Sequence, residues 1–465
     1  MKKLISLLMA AVLVLGLCAC GSSNNNEEAP EGLQVGFGMS DITPSFSVPL
    51  AGYGNTHLRM STGVKDKIYI SCIAVTEGKD TVLLFSQDLI RMDETWLKNL
   101  RARCESELGV PADRVMVSST HTHSSVDNRG KIGEYPQIWL DGAFNAAKQA
   151  MEDRAATTIS TGSVETENLT FVRHYIRENG EYFGDGDPER LLGDTKDHAT
   201  VANKLLVLAK FDRVDESKKD ILLMNFQAHP CMTANAGKDT LISADFVGFT
   251  RQIIQEETGM DFIYFTGSAG NQNTYSYLES DKDIMKVDKY AQTLAEYAMD
   301  LLENLKPLEG KGIKTVQNNY EYAVNKTMLD KVQLCKELQT MQKSDPAKAE
   351  KIMKENGLNR SHVTYVPLRP NRPDTDVMEL NAIYIAGMAF IVAPYEMFSD
   401  TALGIRAESP FETTIIATCA DSNFAYFATK EAYAYKSYES IIGYFAEGCA
   451  EAAQEQFVNM LKSFQ

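Results

Sequence analysis

The chain carries only seven histidines, and two of them, His121 and His123, stand one residue apart in "VMVSSTHTHSS". If extended backbone continues through this stretch, residues i and i+2 share a face, so both imidazoles can meet one metal ion. Hydrogen bonds to Ser118, Ser119 and Ser124 at a strand end account for the pair equally well. Residues elsewhere in the chain supply possible partners. His229 in "FQAHPCM" and Glu396 in "VAPYEMFS" each close an apolar run. A buried carboxylate there is costly unless a cation, Arg or metal, faces it. Cys231, two residues past His229, is a weaker ligand candidate in a chain that also offers histidine and carboxylate. Tyr426 and Tyr438 lie in "SNFAYFATKEAYAYKSYES", where aromatic packing explains most of the four tyrosines. Two histidines, one carboxylate and a displaceable oxygen donor are the set that holds hydrolytic zinc, which keeps one position open for water. Such a water is acidified toward neutrality and attacks a carbonyl.

The elements that must bring these residues together are short apolar runs ending in polar clusters. "DTVLLFSQD" ends at Asp88, "RVMVSSTHTH" at the histidine pair, and "ILLMNFQAHPC" at His229. "DFIYFTGSAGNQN" runs into a glycine loop with Gly270, Asn271 and Asn273, "MAFIVAPYE" ends at Glu396, and "TTIIATCADSNFAY" leads to Tyr426. Such β-branched runs followed by turn signals read as buried strands. Helical patterns lie between several of them, including "DETWLKNLRARCESELG" and "KYAQTLAEYAMDLLENL". The alternation predicts an α/β fold with a mixed, largely parallel central sheet flanked by helices in one domain over residues 34–465. In open sheets of that kind ligands bind beyond the carboxyl ends of the strands. Residues 326–358, with "SDPA" as turn and cap, read as a helical pair inserted at the surface.

Composition excludes some partners. Sixty-three acidic against 46 basic residues give a net charge of −17, which argues against nucleic acid, since phosphate binding needs clustered Lys and Arg. The first 20 residues read as a signal peptide: a basic start, then "LISLLMAAVLVLGL", which is too short to be trusted as a membrane span. Leu17-Cys18-Ala19-Cys20 resembles a lipobox, with Cys20 as the lipid-modified residue and 21–33 as a polar tether. Export and anchoring to a bacterial cell membrane are therefore expected, with two acyl chains or more needed for durable attachment. The six later cysteines form no C-x-x-C pair and are expected to be mostly buried thiols.

Several motifs, taken together and in order, resemble the neutral/alkaline non-lysosomal ceramidases. "GFGMSDITPSFSVPLAGYGN" is similar to that family's opening segment, "SSTHTHSS" to its T-H-T-H-S-G, and "ISADFVG" to its S-A-D-x-x-G. "GSAGNQN", "PYEMFSD" and "NFAYFATKEAYAYKSYE" resemble its later motifs, so the resemblance spans about residues 34–450. It implies zinc held by His121, His229, Glu396 and Tyr426. It places His123 and Tyr438, with Arg173 of "FVRHY", at the reacting carbonyl or leaving group. Asp88, Asp245, Gly270, Asn271 and Asn273 are expected to bind substrate or support the ligands. The implied activity is hydrolysis of the N-acyl amide bond of a ceramide-like lipid by metal-activated water. Two departures keep rivals in view. The glycine loop has Gln272 where some members carry serine, and the family's immunoglobulin-like C-terminal domain has no counterpart in these residues. A soluble amide or ester substrate is one alternative, and a non-catalytic lipoprotein that binds lipid or glycan is another.

Overall fold

Where both faces of a strand are covered, the polar–apolar alternation disappears, and the second strand of this protein, buried along nearly its whole length, is such a case. A computed structural model describes residues 32–53, 59–129, 132–184, 195–275, 285–422 and 425–465. Cys20 and the rest of the expected signal peptide lie outside them. Eight strands form the main sheet path: β1 (Leu33–Asp41), β2 (Tyr69–Glu77), β3 (Asp80–Gln87), β4 (Val115–Ser119), β5 (Ala155–Glu165), β6 (Leu205–Arg213), β7 (Ile221–Phe226) and β8 (Asp261–Thr266). Their spatial order is β8-β7-β6-β5-β1-β2-β3-β4. A second sheet runs β9-β10-β11-β12, from β9 (Ile313–Ala323), β10 (Thr375–Ile385), β11 (Met388–Val392) and β12 (Thr414–Ala417).

The two sheets pack face to face. One apolar cluster joins Val35, Ile73 and Phe211 of the first to Ile383, Phe390 and Ile415 of the second. Helices Glu94–Leu108 and Tyr135–Asp153 cover the outer face around β1–β4, where Trp96, Leu100 and Trp139 are buried. Helices Asp245–Thr258 and Val287–Leu302 cover β6–β8, and helix Cys449–Lys462 covers the second sheet. The result is four layers, helix–sheet–sheet–helix. No helix among the described residues is long and apolar enough to cross a membrane.

The mixed α/β expectation holds, but "largely parallel" needs correcting. In the main sheet β1, β2, β3, β5, β6 and β7 pair antiparallel with one another. For β2/β3 and β6/β7 the physical reason is a short connection, which only antiparallel neighbours permit. Gly78, with φ of 59°, turns β2 directly back into β3. A fully buried strand reads the same in either direction, so its sequence carries no sign of the pairing. Within the two sheets parallel pairing is confined to β3/β4, β7/β8 and β11/β12, and two short parallel pairs stand outside them, Leu241–Ile242 with Gly63–Val64 and Glu396–Met397 with Tyr426–Phe427.

Those three pairs are the ones that matter for chemistry, because their carboxyl ends converge. The main sheet curls until its edges β4 and β8 meet the end of β12. Thr418 N–H donates to Thr266 O (2.9 Å), Ser119 N–H to Cys419 O (3.2 Å) and Asp421 N–H to Val117 O (2.9 Å).

The segment between β9 and β10 is helical. It holds helices Val332–Ser344 and Pro346–Glu355, with Asp345 capping the second as "SDPA" implied. It then continues through Arg360–Tyr365 to Asn371. Asn359 restarts the helix, exchanging hydrogen bonds with His362. Cys335, Leu338, Met353, Val363 and Val366 give the insertion a small core of its own. The six later cysteines are unbridged, and all but the half-buried Cys231 are buried.

Candidate active site

His121 follows β4 and His229 follows β7, so the edge and interior of the main sheet supply one imidazole each. His121 takes φ of 68°, which turns its side chain out of the strand direction. Each ring's Nδ1 faces a backbone carbonyl: His121 meets Ile90 O at 2.7 Å and His229 meets Ala269 O at 2.7 Å. A carbonyl only accepts, so each ring carries its proton on Nδ1 and presents a lone pair at Nε2. Those two Nε2 atoms lie 3.2 Å apart. Glu396 Oε2 completes a triangle, 3.2 Å from His121 Nε2 and 3.4 Å from His229 Nε2.

Three electron-rich atoms this close repel one another unless a cation or proton stands between them. Ligand atoms about 2.0–2.1 Å from one tetrahedral ion lie about 3.4 Å apart, so the triangle has the edges that zinc would require. Glu396 Oε2 is also buried with no hydrogen-bond partner. Burial pushes its carboxyl up, but a proton on His121 offsets this in the absence of an ion, holding the carboxyl well below its usual range and the His121 imidazole well above its own; a divalent ion would take that proton's place. The donor set fits a divalent ion.

His123 stands beside the triangle. The ligand atoms of His121, His123 and His229 all lie within 4.8 Å of one another, and the His123 ring packs edge-on against both partners. Neither of its ring nitrogens has a hydrogen-bond partner in the buried space it occupies. Burial, together with His229 and His121, keeps its pKa well below the ordinary value, so it rests neutral. Its backbone is fixed by Arg59, which donates to His123 O (3.3 Å) and to Ala51 O (2.7 Å). Gly52 makes room for it, since a Cβ there would sit 2.4 Å from His123 Cγ, and Tyr53 closes over the ring edge. This explains the glycine and tyrosine of "GYG".

The glycine loop after β8 works as a brace. Gly270 packs so tightly on the strand of Glu396 that a Cβ would fall 2.6 Å from Glu396 O, and Gly270 N–H donates to Met397 O (2.8 Å). Asn271 exchanges hydrogen bonds with Ser399, fixing the segment just past Glu396. Gln272 O accepts the His229 N–H (3.1 Å). Tyr426 pairs in register with Glu396, and its ring lies 6.3 Å from that of His229. Burial and Glu396 raise its phenol well above the ordinary range, so it is a neutral oxygen donor here. Tyr438 packs against Tyr426 at 6.0 Å, and the Arg173 guanidinium covers the Tyr426 face at 5.2 Å.

Arg173 is held by the expected Gly270 and Asn273 and by Glu439, which the sequence did not reveal. Its Nε donates to Glu439 Oε1 (2.8 Å) and its Nη2 to Gly270 O (2.8 Å), while Asn273 Oδ1 lies 3.5 Å from Nη1. His174 Nε2 meets the other Glu439 oxygen at 2.8 Å, and Tyr435 meets His174 Nδ1 at 2.6 Å. Burial raises the Glu439 carboxyl, but His174 and Arg173 outweigh it and bring it down to about 2. The adjacency of Arg173 and His174 in "FVRHY" was the only available signal.

Two expected site residues support the structure from behind. Asp88 is taken up by Arg251, with both oxygens engaged at 2.7–2.8 Å, and braces the turn before His121. Asp245 accepts from Thr233 N and Thr233 Oγ1, and Thr233 Oγ1 lies 3.0 Å from Ser124 Oγ. It ties the loop after His229 to the segment after His123.

No family model and no curated protein matches the sequence. Solved structures do. Neutral ceramidase from Pseudomonas aeruginosa superposes with a TM-score of 0.68, covering 94% of this chain and 75% of that one at 16% identity. A ceramidase complexed with C2 gives the same figures. This chain has the neutral ceramidase fold. On that fold, the ends of the three parallel strand pairs carry the imidazole–carboxylate triangle.

Proposed function

We propose that this protein is a zinc-dependent amidohydrolase that cleaves the N-acyl amide bond of a ceramide-like lipid. The observation that carries the reading is the triangle of His121 Nε2, His229 Nε2 and Glu396 Oε2, with edges of 3.2–3.4 Å and a neutral, unpartnered His123 beside it. The ceramidase fold supports it. His121, His229 and Glu396 would hold the ion, with Tyr426 as a displaceable fourth donor. When bound, the ion polarises a carbonyl and lowers the pKa of water.

The remaining work falls to the chain. His123, neutral at rest, can take a proton from the attacking water and return it to the departing amine, which must leave protonated. Tyr438 would donate to the carbonyl oxygen as it gains charge, a well-aimed donor contributing about 3 kcal/mol, and Arg173, engaged by Glu439 and Gly270, would hold that wall in place. A cavity of about 760 Å³ opens beside Cys231 and Thr233, just past His229, with Met232, Phe249 and Met285 among its walls. No residue of the triangle lines it, so it would take only a part of a substrate remote from the scissile amide.

Metal analysis of the purified protein, paired with hydrolysis of N-acyl lipids and of soluble amides and esters, tests the reading. Bound metal with lipid amide turnover is expected. Metal with turnover of soluble substrates alone would replace the lipid, and absence of both metal and turnover would favour a binding protein. We also propose that Cys20 anchors the exported protein to a membrane surface, on the strength of the lipobox-like "LCAC". Cys20→Ala should move it from the membrane to the soluble fraction.

A further inference from the structure

Arg91 follows Ile90, the residue whose carbonyl fixes the His121 ring, and its charge bears on Glu396. Its backbone is anchored, with Arg91 O accepting from Gln87 Nε2 and Asn128 Nδ2, each at 3.1 Å. Its charged end is not. Nε is buried with no hydrogen-bond partner, and no carboxylate among the described residues lies within ion-pair distance of the guanidinium. The charges that bear on it are Arg129, Asp127, Glu396 and Cys419. Asp127 is already committed to Arg129 through two hydrogen bonds of 2.9 Å. Burial, with Arg129 beside it, pulls the Arg91 pKa below its ordinary value, the sign of a cation short of compensation.

The charges around the centre do not balance. Arg173 is matched by Glu439 and Arg129 by Asp127, but Glu396 is the sole acid of the triangle and would face a divalent ion. Whatever balances that ion, Arg91 is the cation left without an acid of its own. Surplus positive charge at a ligand site in a chain of net charge −17 points to an anion supplied by the ligand. A half-buried guanidinium with unspent donors suits a carboxylate, phosphate or sulfate, which it grips in fork geometry.

We infer that Arg91 is a specificity-determining residue that binds an anionic group on the substrate, making the preferred substrate an acidic N-acyl amide. This rests on the amidase reading for the amide and on Arg91 for the charge. A neutral ceramide would leave Arg91 uncompensated.

The test compares N-lauroylglycine and N-lauroyl-phosphoethanolamine with neutral N-lauroylethanolamine, in the metal-loaded wild type, Arg91→Gln and Arg91→Lys. Wild type should favour at least one acidic amide over the neutral one by tenfold or more in kcat/KM. Arg91→Gln should erase that preference through KM while leaving kcat on the neutral amide within about twofold and metal content unchanged. Arg91→Lys, which keeps the charge but loses the fork, should fall between them. Equal losses on acidic and neutral amides, carried by kcat, would mean that Arg91 serves the reacting atoms and would overturn the proposal. So would a wild type without preference for acid. Calorimetric binding of N-lauroylglycine separates this inference from the amidase reading. Binding lost in Arg91→Gln with no turnover by wild type sinks the amidase and keeps the anion site, whereas binding indifferent to Arg91 sinks the anion site.

Discussion

Two buried glutamates flank Tyr426, one beside it in the strand pairing and one behind Arg173, and they are satisfied in opposite ways. Glu439 is answered by the chain itself, with Arg173 on one oxygen and His174 on the other. Glu396 meets two imidazole nitrogens whose protons point away from it, and its Oε2 has no donor. A buried carboxylate of the first kind contributes structure, and its removal leaves charges unpaired. A carboxylate of the second kind is tolerable only if something from outside arrives. The same contrast separates Arg173 from Arg91. On the proposed reading, the complete pairs brace the site and the incomplete ones bind.

The sharpest way to break this comparison is His229→Ala. It removes one corner of the triangle, and both bound metal and hydrolysis should be lost, measured by elemental analysis and single-turnover assay. Retained metal would mean that the corner is not a ligand. His123→Ala comes next: metal should stay at wild-type stoichiometry while kcat falls about 10²–10⁴-fold, as for loss of a general acid–base group. If the metal leaves as well, His123 belongs to the shell and the division of labour drawn here is wrong.

Glu439→Gln addresses the other glutamate. Its folded pKa of about 2 lies below the ordinary glutamate value of 4.5, so its stabilisation is fully present above pH 4.5 and disappears as pH falls toward 2. At about 1.4 kcal/mol for each pH step, that window is worth roughly 3 kcal/mol. The variant should melt lower at pH 7, lose that part of the acid sensitivity in thermal scans, and keep its metal. Gly52→Ala should have the smallest effect. Its new Cβ would press on His123 at a backbone φ of 98°, lowering kcat without emptying the metal site.

Much of the site was legible because its residues follow apolar runs whose ends converge. His121, His229 and Glu396 could be grouped that way, and the motif order resembles that of a family whose fold the chain has. Strand direction was not legible: a run such as "ILLMNF" is buried on both faces whichever way its neighbour runs. Nor were the acceptors that set the imidazole tautomers, since Ile90 and Ala269 contribute only backbone oxygen. Asp88 looked like a site acid because it ends a strand. Its partner Arg251 lies 163 residues away, a pairing that no local pattern announces. Arg91 went unnoticed for the converse reason, because what distinguishes it is a missing partner.

Anomalous diffraction from crystals of the metal-loaded protein, recorded across the zinc edge, tests the central claim most directly. One peak per chain is predicted, about 2.0–2.2 Å from each of His121 Nε2, His229 Nε2 and Glu396 Oε2, with His123 outside bonding distance. No peak within that triangle, or a peak bonded to His123 in place of Glu396, would contradict the account.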